Sequence, residues 1–120
     1  MANYPKAIGP YSVYREANGL LFISGQLPIN PKSGNIENED IKEQTKQSLL
    51  NIKAILEENN LHFNNVIKTT CFLANIEDFI SFNEVYSEFF AAPYPARSAF
   101  AVKDLPKGAK VEIEVVAHKV

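Results

Sequence analysis

With 120 residues, of which 46% are hydrophobic and 22% charged, the chain has material for one core, so residues 1–120 are expected to form a single domain. Its net charge is -2, and only two of its 12 basic residues are arginines, Arg15 and Arg97. No basic stripe interleaved with aromatics runs through the chain, which argues against nucleic acid as a partner. No apolar run approaches the ~20 residues of a membrane span.

Compartment follows from small signs. The single cysteine, Cys71, excludes an intramolecular disulfide and fits a reducing cytoplasm; a lone thiol in an apolar run reads as core packing. The opening MANYPKAIGPYS lacks the charged head and apolar run of a secretory leader.

Residues 12–17 and 20–24 flank Asn18-Gly19, a pair that tolerates the positive φ of a type I′ turn, and so predict an opening β-hairpin. The next stretch, QLPINPKSGNIENE, has no periodicity and is punctuated by Pro28, Pro31 and Gly34; it reads as a long loop, and such loops are often functional. Asp40 stands three residues before Glu43, a helix-capping spacing. Behind it Ile41, Thr45, Ser48, Leu49, Ile52, Ile55 and Leu56 recur at helical spacing, while Lys42, Glu43, Lys46, Lys53 and Glu57 fall opposite. The pattern predicts an amphipathic helix over 40–59, ended by Asn59-Asn60.

Residues 66–73, rich in β-branched side chains, predict a strand. A second helix follows over 77–90, with Phe79, Phe82, Val85, Tyr86, Phe89 and Phe90 on its apolar side; Pro93 and Pro95 stop it. Residues 96–102 and 110–118 then read as closing strands around the turn-rich DLPKGA. The order ββαβαββ implies an α+β domain, a mostly antiparallel sheet with two helices on one face. Leu21, Phe22 and Ile23 are consecutive, as are Val115, Val116 and Ala117, so the strands are apolar on both faces. Two helices cover only one of those faces, and a homo-oligomer meeting across the bare face is expected.

Familiar catalytic constellations are missing. His62 and His118 stand apart without metal-ligand spacing, and no phosphate-binding glycine loop or nucleophile elbow is present, so neither a metal nor an organic cofactor is expected. Arg97 stands out in PYPARSAF: alternation puts Arg97, Ala99 and Ala101 on one face, where a guanidinium either grips an external carboxylate or pairs with Glu112 or Glu114. Glu112 and Glu114 share a face of the last strand, either as an acid-base pair or as a solvated face. Ser24-Gly25 either admits a ligand close to the backbone or ends its strand, and Asn83 is either a ligand contact or a hydrogen-bonded amide.

Seven blocks in order, PKAIGPYS, FISGQLPINPKSG, NIKAILE, VIKTTCFL, DFISFNEVY, PYPARSAF and LPKGAKVEIEVVA, together resemble the reactive-intermediate deaminase (Rid) family over nearly the whole chain. The resemblance implies a chorismate-mutase-like fold and a homotrimer with ligand sites in clefts between subunits. It further implies hydrolysis of the enamines and imines released by pyridoxal-phosphate dehydratases acting on serine or threonine. In the family's motifs, Arg97 binds the substrate carboxylate, Glu112 positions or polarises the attacking water, and Tyr11, Ser24, Gly25 and Asn83 line the site. Two positions depart from the common pattern. Ala99 stands where many members have cysteine, leaving only its backbone carbonyl to hold water or substrate, and Val13 stands where many have glutamine. The alternative is a non-catalytic regulatory module that captures small carboxylates; a ribonuclease finds no support in the acidic balance, and a mutase borrowed from the fold has only one arginine behind it.

Overall fold

A computed structural model describes residues 3–119. Met1 and Ala2, at the head of the segment read for a leader, and Val120 lie outside the described residues. The elements come in the expected order: β1 (Tyr14–Ala17), β2 (Leu20–Gln26), α1 (Ile41–Glu58), β3 (Val66–Leu73), α2 (Phe79–Phe89), β4 (Ala96–Ala101) and β5 (Val111–His118). They build one five-stranded sheet in the order β1-β2-β5-β3-β4, antiparallel except where β3 and β4 run parallel.

Local chemistry sets the boundaries. Asn18 (φ 52°) and Gly19 (φ 76°) both take the left-handed region that a tight β1–β2 turn demands. Asp40 caps α1 by accepting from the Glu43 backbone N–H at 3.1 Å, a cap whose loss costs about 1 kcal/mol. The entry to α2 differs from expectation. Asn75 accepts from the Glu77 N–H, a 3₁₀ turn covers Ile76–Asp78, and the α-helix proper begins at Phe79.

The core lies between the helices and one face of the sheet. Leu21 and Ile23 of β2, Thr69, Cys71 and Leu73 of β3, and Val111, Ile113, Val115 and Ala117 of β5 are buried there against Leu49, Ile52, Ile55 and Leu56 of α1 and Phe82 and Val85 of α2. Cys71 is part of this packing, and burial pushes its thiol up to about 11, as befits an inert core residue. Strict alternation fails at the start of β3: a register shift against β5 between Val66 and Lys68 lets both Val66 and Thr69 point inward.

Four side chains on the buried side of α1 are polar, Gln44, Thr45, Ser48 and Asn51, and two of them are amides. Asn51 donates to the carbonyls of Leu27 (3.1 Å) and Ile29 (3.0 Å), and Gln44 accepts from the Lys110 N–H while donating to Asn38 O. Their N–H groups satisfy carbonyls of the loop that follows β2, whose backbone has no ladder of its own, and Gln44 also ties in the residue before β5.

The opposite sheet face carries Phe22, Phe72, Phe100 and Val116 together with Lys68, Thr70, Glu112 and Glu114. Phe72 and Phe100 meet edge to face at 5.4 Å, and Phe22 and Phe100 each remain 44% exposed. No element among the described residues covers this face, and no helix among them is long and apolar enough to cross a membrane.

Candidate functional site

Arg97 lies on β4, the edge strand, in register with buried Thr69 of β3. Its side chain is therefore on the helix side of the sheet and reaches over α2. The guanidinium carbon sits 4.8 Å from the Tyr86 ring centroid and 5.5 Å from that of Phe79, and Nη1 donates to Asn83 Oδ1 at 2.7 Å. Asn83 is thus a hydrogen-bonded, half-buried amide whose partner is the guanidinium itself. The ion pairs among the described residues, Lys42–Glu84 and Lys119–Glu16, do not include Arg97. With Ser87, Tyr94 and Pro95 these groups bound a pocket of about 280 Å³. Ala99 is one step along the same side. Because the Val102 N–H donates to Leu73 O, alternation turns the backbone N–H and C=O groups of Arg97, Ala99 and Ala101 away from β3, toward the free edge.

Glu112 belongs to a different neighbourhood. It lies opposite Phe72 on the uncovered face, two residues from Glu114, which lies opposite Thr70. Its carboxyl is held above the usual range, first by burial and then by the negative charge of Glu114. Beside it β2 bulges: Ile23 pairs with Val115 and Gln26 with Ile113, leaving Ser24 and Gly25 opposite the single residue Glu114. Ser24-Gly25 is therefore a bulge inside the strand, not its end. A Cβ at Gly25 would collide with the Glu112 carboxyl, so the missing side chain is what lets that carboxyl lie on the backbone.

Ser24 donates from Oγ to Ser12 O (2.6 Å) and from N to Val13 O (2.9 Å), tying the bulge to the segment that carries Tyr11. Val13, at the position of the second departure, packs partly buried against the core. Tyr11 is 47% exposed, its hydroxyl accepting from the Ile8 N–H, and with Ser24 it borders a hollow of about 680 Å³ on the open face. On either side of Tyr11 the hydroxyls of Tyr4 and Tyr14 both donate to Glu58 Oε2, at 2.8 and 2.7 Å, and clamp the segment to the end of α1. Burial and the Glu58 carboxylate push the Tyr4 hydroxyl up to about 12.

The expected site residues thus form two groups. Arg97, Asn83 and the Ala99 backbone come together at the β4 edge; Tyr11, Ser24, Gly25 and Glu112 come together around the bulge. They occupy opposite faces of one sheet with β3 between them, which rules out the pairing of Arg97 with Glu112 or Glu114 within one chain. On the helix side of the sheet α2 lies under Arg97, which stays exposed above it. The aromatic partners of Arg97 went unread in the sequence, although a signal existed: Phe79 and Tyr86 stand four before and three after Asn83, on one helix face.

Comparison with known proteins adds the following. The family model described as Endoribonuclease L-PSP matches residues 1–119. A protein of Lactococcus lactis named as a candidate regulator, AldR, is 55% identical over 114 residues, 95% of this chain and 90% of its own. The 2-iminobutanoate/2-iminopropanoate deaminase of Homo sapiens is 44% identical over 116 residues, 97% of this chain and 85% of its own. Among solved structures, E. coli TdcF with bound serine superposes with a TM-score of 0.93 at 40% identity, covering 98% of this chain and 94% of that one.

Proposed function

The chain belongs to the endoribonuclease L-PSP family, which includes the Rid proteins, and on that premise we propose that it hydrolyses 2-imino acids and their enamine tautomers, 2-aminoacrylate and 2-aminocrotonate, to 2-oxo acids and ammonia. We read it as a cytoplasmic homotrimer in which the Arg97 group of one subunit faces the Glu112 group of the next. The observation that carries this reading is Arg97 itself: an exposed guanidinium laid over two aromatic rings, bonded only to a neutral amide, with no carboxylate of its own chain in reach among the described residues. A cation so placed suits an external carboxylate, which its planar fork binds through two parallel hydrogen bonds. The bound serine named for the E. coli relative is a ligand of that class.

In this reading Arg97 anchors the carboxylate while Asn83 fixes the guanidinium. The enamine passes a proton from nitrogen to its β-carbon and becomes the imine. Water on the Glu112 carboxylate, braced by the outward-facing Ala99 carbonyl of the neighbouring subunit, adds to the imine carbon. The proton it gives up is carried by Glu112 to the nitrogen, giving a carbinolamine. Glu112 then carries the proton of that hydroxyl to the same nitrogen as the C=O bond forms, the C–N bond breaks, and ammonia leaves the 2-oxo acid behind. Imines hydrolyse in water unaided, so positioning and proton transfer suffice.

The test couples the chain to a dehydratase acting on serine or threonine and follows 2-oxo acid release. Wild type is expected to accelerate it; Arg97→Ala and Glu112→Gln are not, each losing about 100-fold or more in kcat/KM. The two variants refolded together are expected to regain part of the rate, because some hybrid clefts hold both native residues. Failure of the wild type to accelerate release would sink the deaminase and leave the carboxylate-binding regulatory module. Acceleration without complementation would sink the shared cleft.

A further inference from the structure

Arg97 is exposed, yet its guanidinium lies on a buried, hydrogen-bonded aromatic ring of α2. Tyr86 is only 6% exposed, stacks on Phe90 with centroids 4.4 Å apart, and meets Phe82 at 5.6 Å. Its hydroxyl lies 2.9 Å from Thr69 Oγ1, which is fully buried. Thr69 is in turn the strand-register partner of Arg97. The three residues close a small circuit: Thr69 beside Arg97 on adjacent strands, and Tyr86 spanning both, with its hydroxyl on one and its ring under the other.

We propose that Tyr86 is the positioning residue of the carboxylate site, presenting the guanidinium plane to the ligand, and that Thr69 acts through it by holding the ring's azimuth. This deepens the reading of Arg97 as the carboxylate anchor and rests on it. A free arginine side chain samples many rotamers, and a bidentate carboxylate needs one plane. The ring face draws the cation down by its quadrupole, most strongly where water is excluded beneath it, and Asn83 fixes rotation in the plane. Burial raises the Tyr86 hydroxyl above its usual value, so the ring stays neutral and its hydrogen bond to Thr69 intact across the working range.

The test compares Tyr86→Leu, Tyr86→Phe, Thr69→Val and Arg97→Ala with wild type, using 2-oxobutanoate as the binding probe. In the ligand-free protein, NMR of the Arg97 side chain should show δ and ε protons shifted upfield by the ring current, retained in Tyr86→Phe and reduced in Tyr86→Leu to the smaller part that Phe79 contributes. The Kd for 2-oxobutanoate and the KM for imine should rise about tenfold in Tyr86→Leu, with kcat little changed, and recover most of the way in Tyr86→Phe. Thr69→Val should broaden or split the Arg97 signals. Should Tyr86→Leu fail to fold, the wild-type spectrum and the two conservative variants decide. Unshifted Arg97 protons in wild type overturn the proposal, as does a folded Tyr86→Leu that binds like wild type or a Tyr86→Phe that loses as much as Tyr86→Leu. If Arg97→Ala binds the probe as tightly as wild type, the anchor reading fails instead, and the spectra still report on the platform.

Discussion

The β4 edge and the β2 bulge solve opposite problems with opposite means. At the edge a permanent cation is kept in an exposed position and made rigid: two aromatic rings, one amide and a hydroxyl behind them settle where Arg97 points. At the bulge a carboxyl is half-buried beside a second negative charge and accepts no hydrogen bond among the described residues. The first arrangement suits binding, because the entropy of ordering the fork is lost on folding rather than on contact. The second suits proton transfer, because desolvation lifts a carboxyl toward the pH at which it must both take and give a proton. That one sheet holds the two on opposite faces teaches that within a single chain they do not meet.

Replacing the fork by a point charge attacks the first arrangement. Arg97→Lys keeps the charge but loses the planar stack and the paired N–H groups, so kcat/KM is expected to fall about 30-fold, mostly through KM. Steady-state kinetics check this, and a lysine variant with native KM would mean that charge alone suffices. A smaller and opposite split is expected at the bulge. In Gly25→Ala the new methyl displaces the Glu112 carboxyl, the far end of a flexible side chain, so the fold survives while kcat falls about tenfold with KM nearly unchanged. A thermal melt beside the kinetics separates this from simple destabilisation.

The smallest effect concerns pH. Glu112 is raised by burial and then by Glu114, so its carboxylate form is lost, as the medium is acidified, at a higher pH than an ordinary glutamate with its pKa of about 4.3. Glu114→Gln removes the second cause, and the acid limb of the kcat/KM profile should move to lower pH with little change near neutrality. A limb that stays in place, or moves up, would disconnect it from Glu112. The stability sign runs the other way. A carboxyl with a raised folded-state pKa costs stability above its ordinary value, and that cost is relieved as pH falls through the raised one.

Much of this was legible in the residues, for physical reasons. Asn18-Gly19 announces its turn because few other pairs tolerate two positive φ angles. Asp40 and Glu43 mark a helix start because orphan N–H groups need an acceptor there. Alternation divides Arg97 from Ser98 and Glu112 from Ile113, but it does not say which set of one strand shares a face with which set of another. That depends on register and on bulges, and so the opposition of Arg97 and Glu112 was hidden. Asn51 and Gln44 were illegible for a related reason: a buried amide is tolerated only where distant carbonyls meet it, and those belong to a loop without periodicity.

The outward-turned edge of β4 also makes the chain its own stopwatch. Ser98 and Phe100 aim their amides at β3, while Arg97, Ala99 and Ala101 aim theirs at solvent, so deuterium should enter this strand in every second residue. Whatever comes to rest against that edge, whether a neighbouring copy or a bound acid, writes its residence time into three amides whose nearest neighbours serve as the unaltered reference.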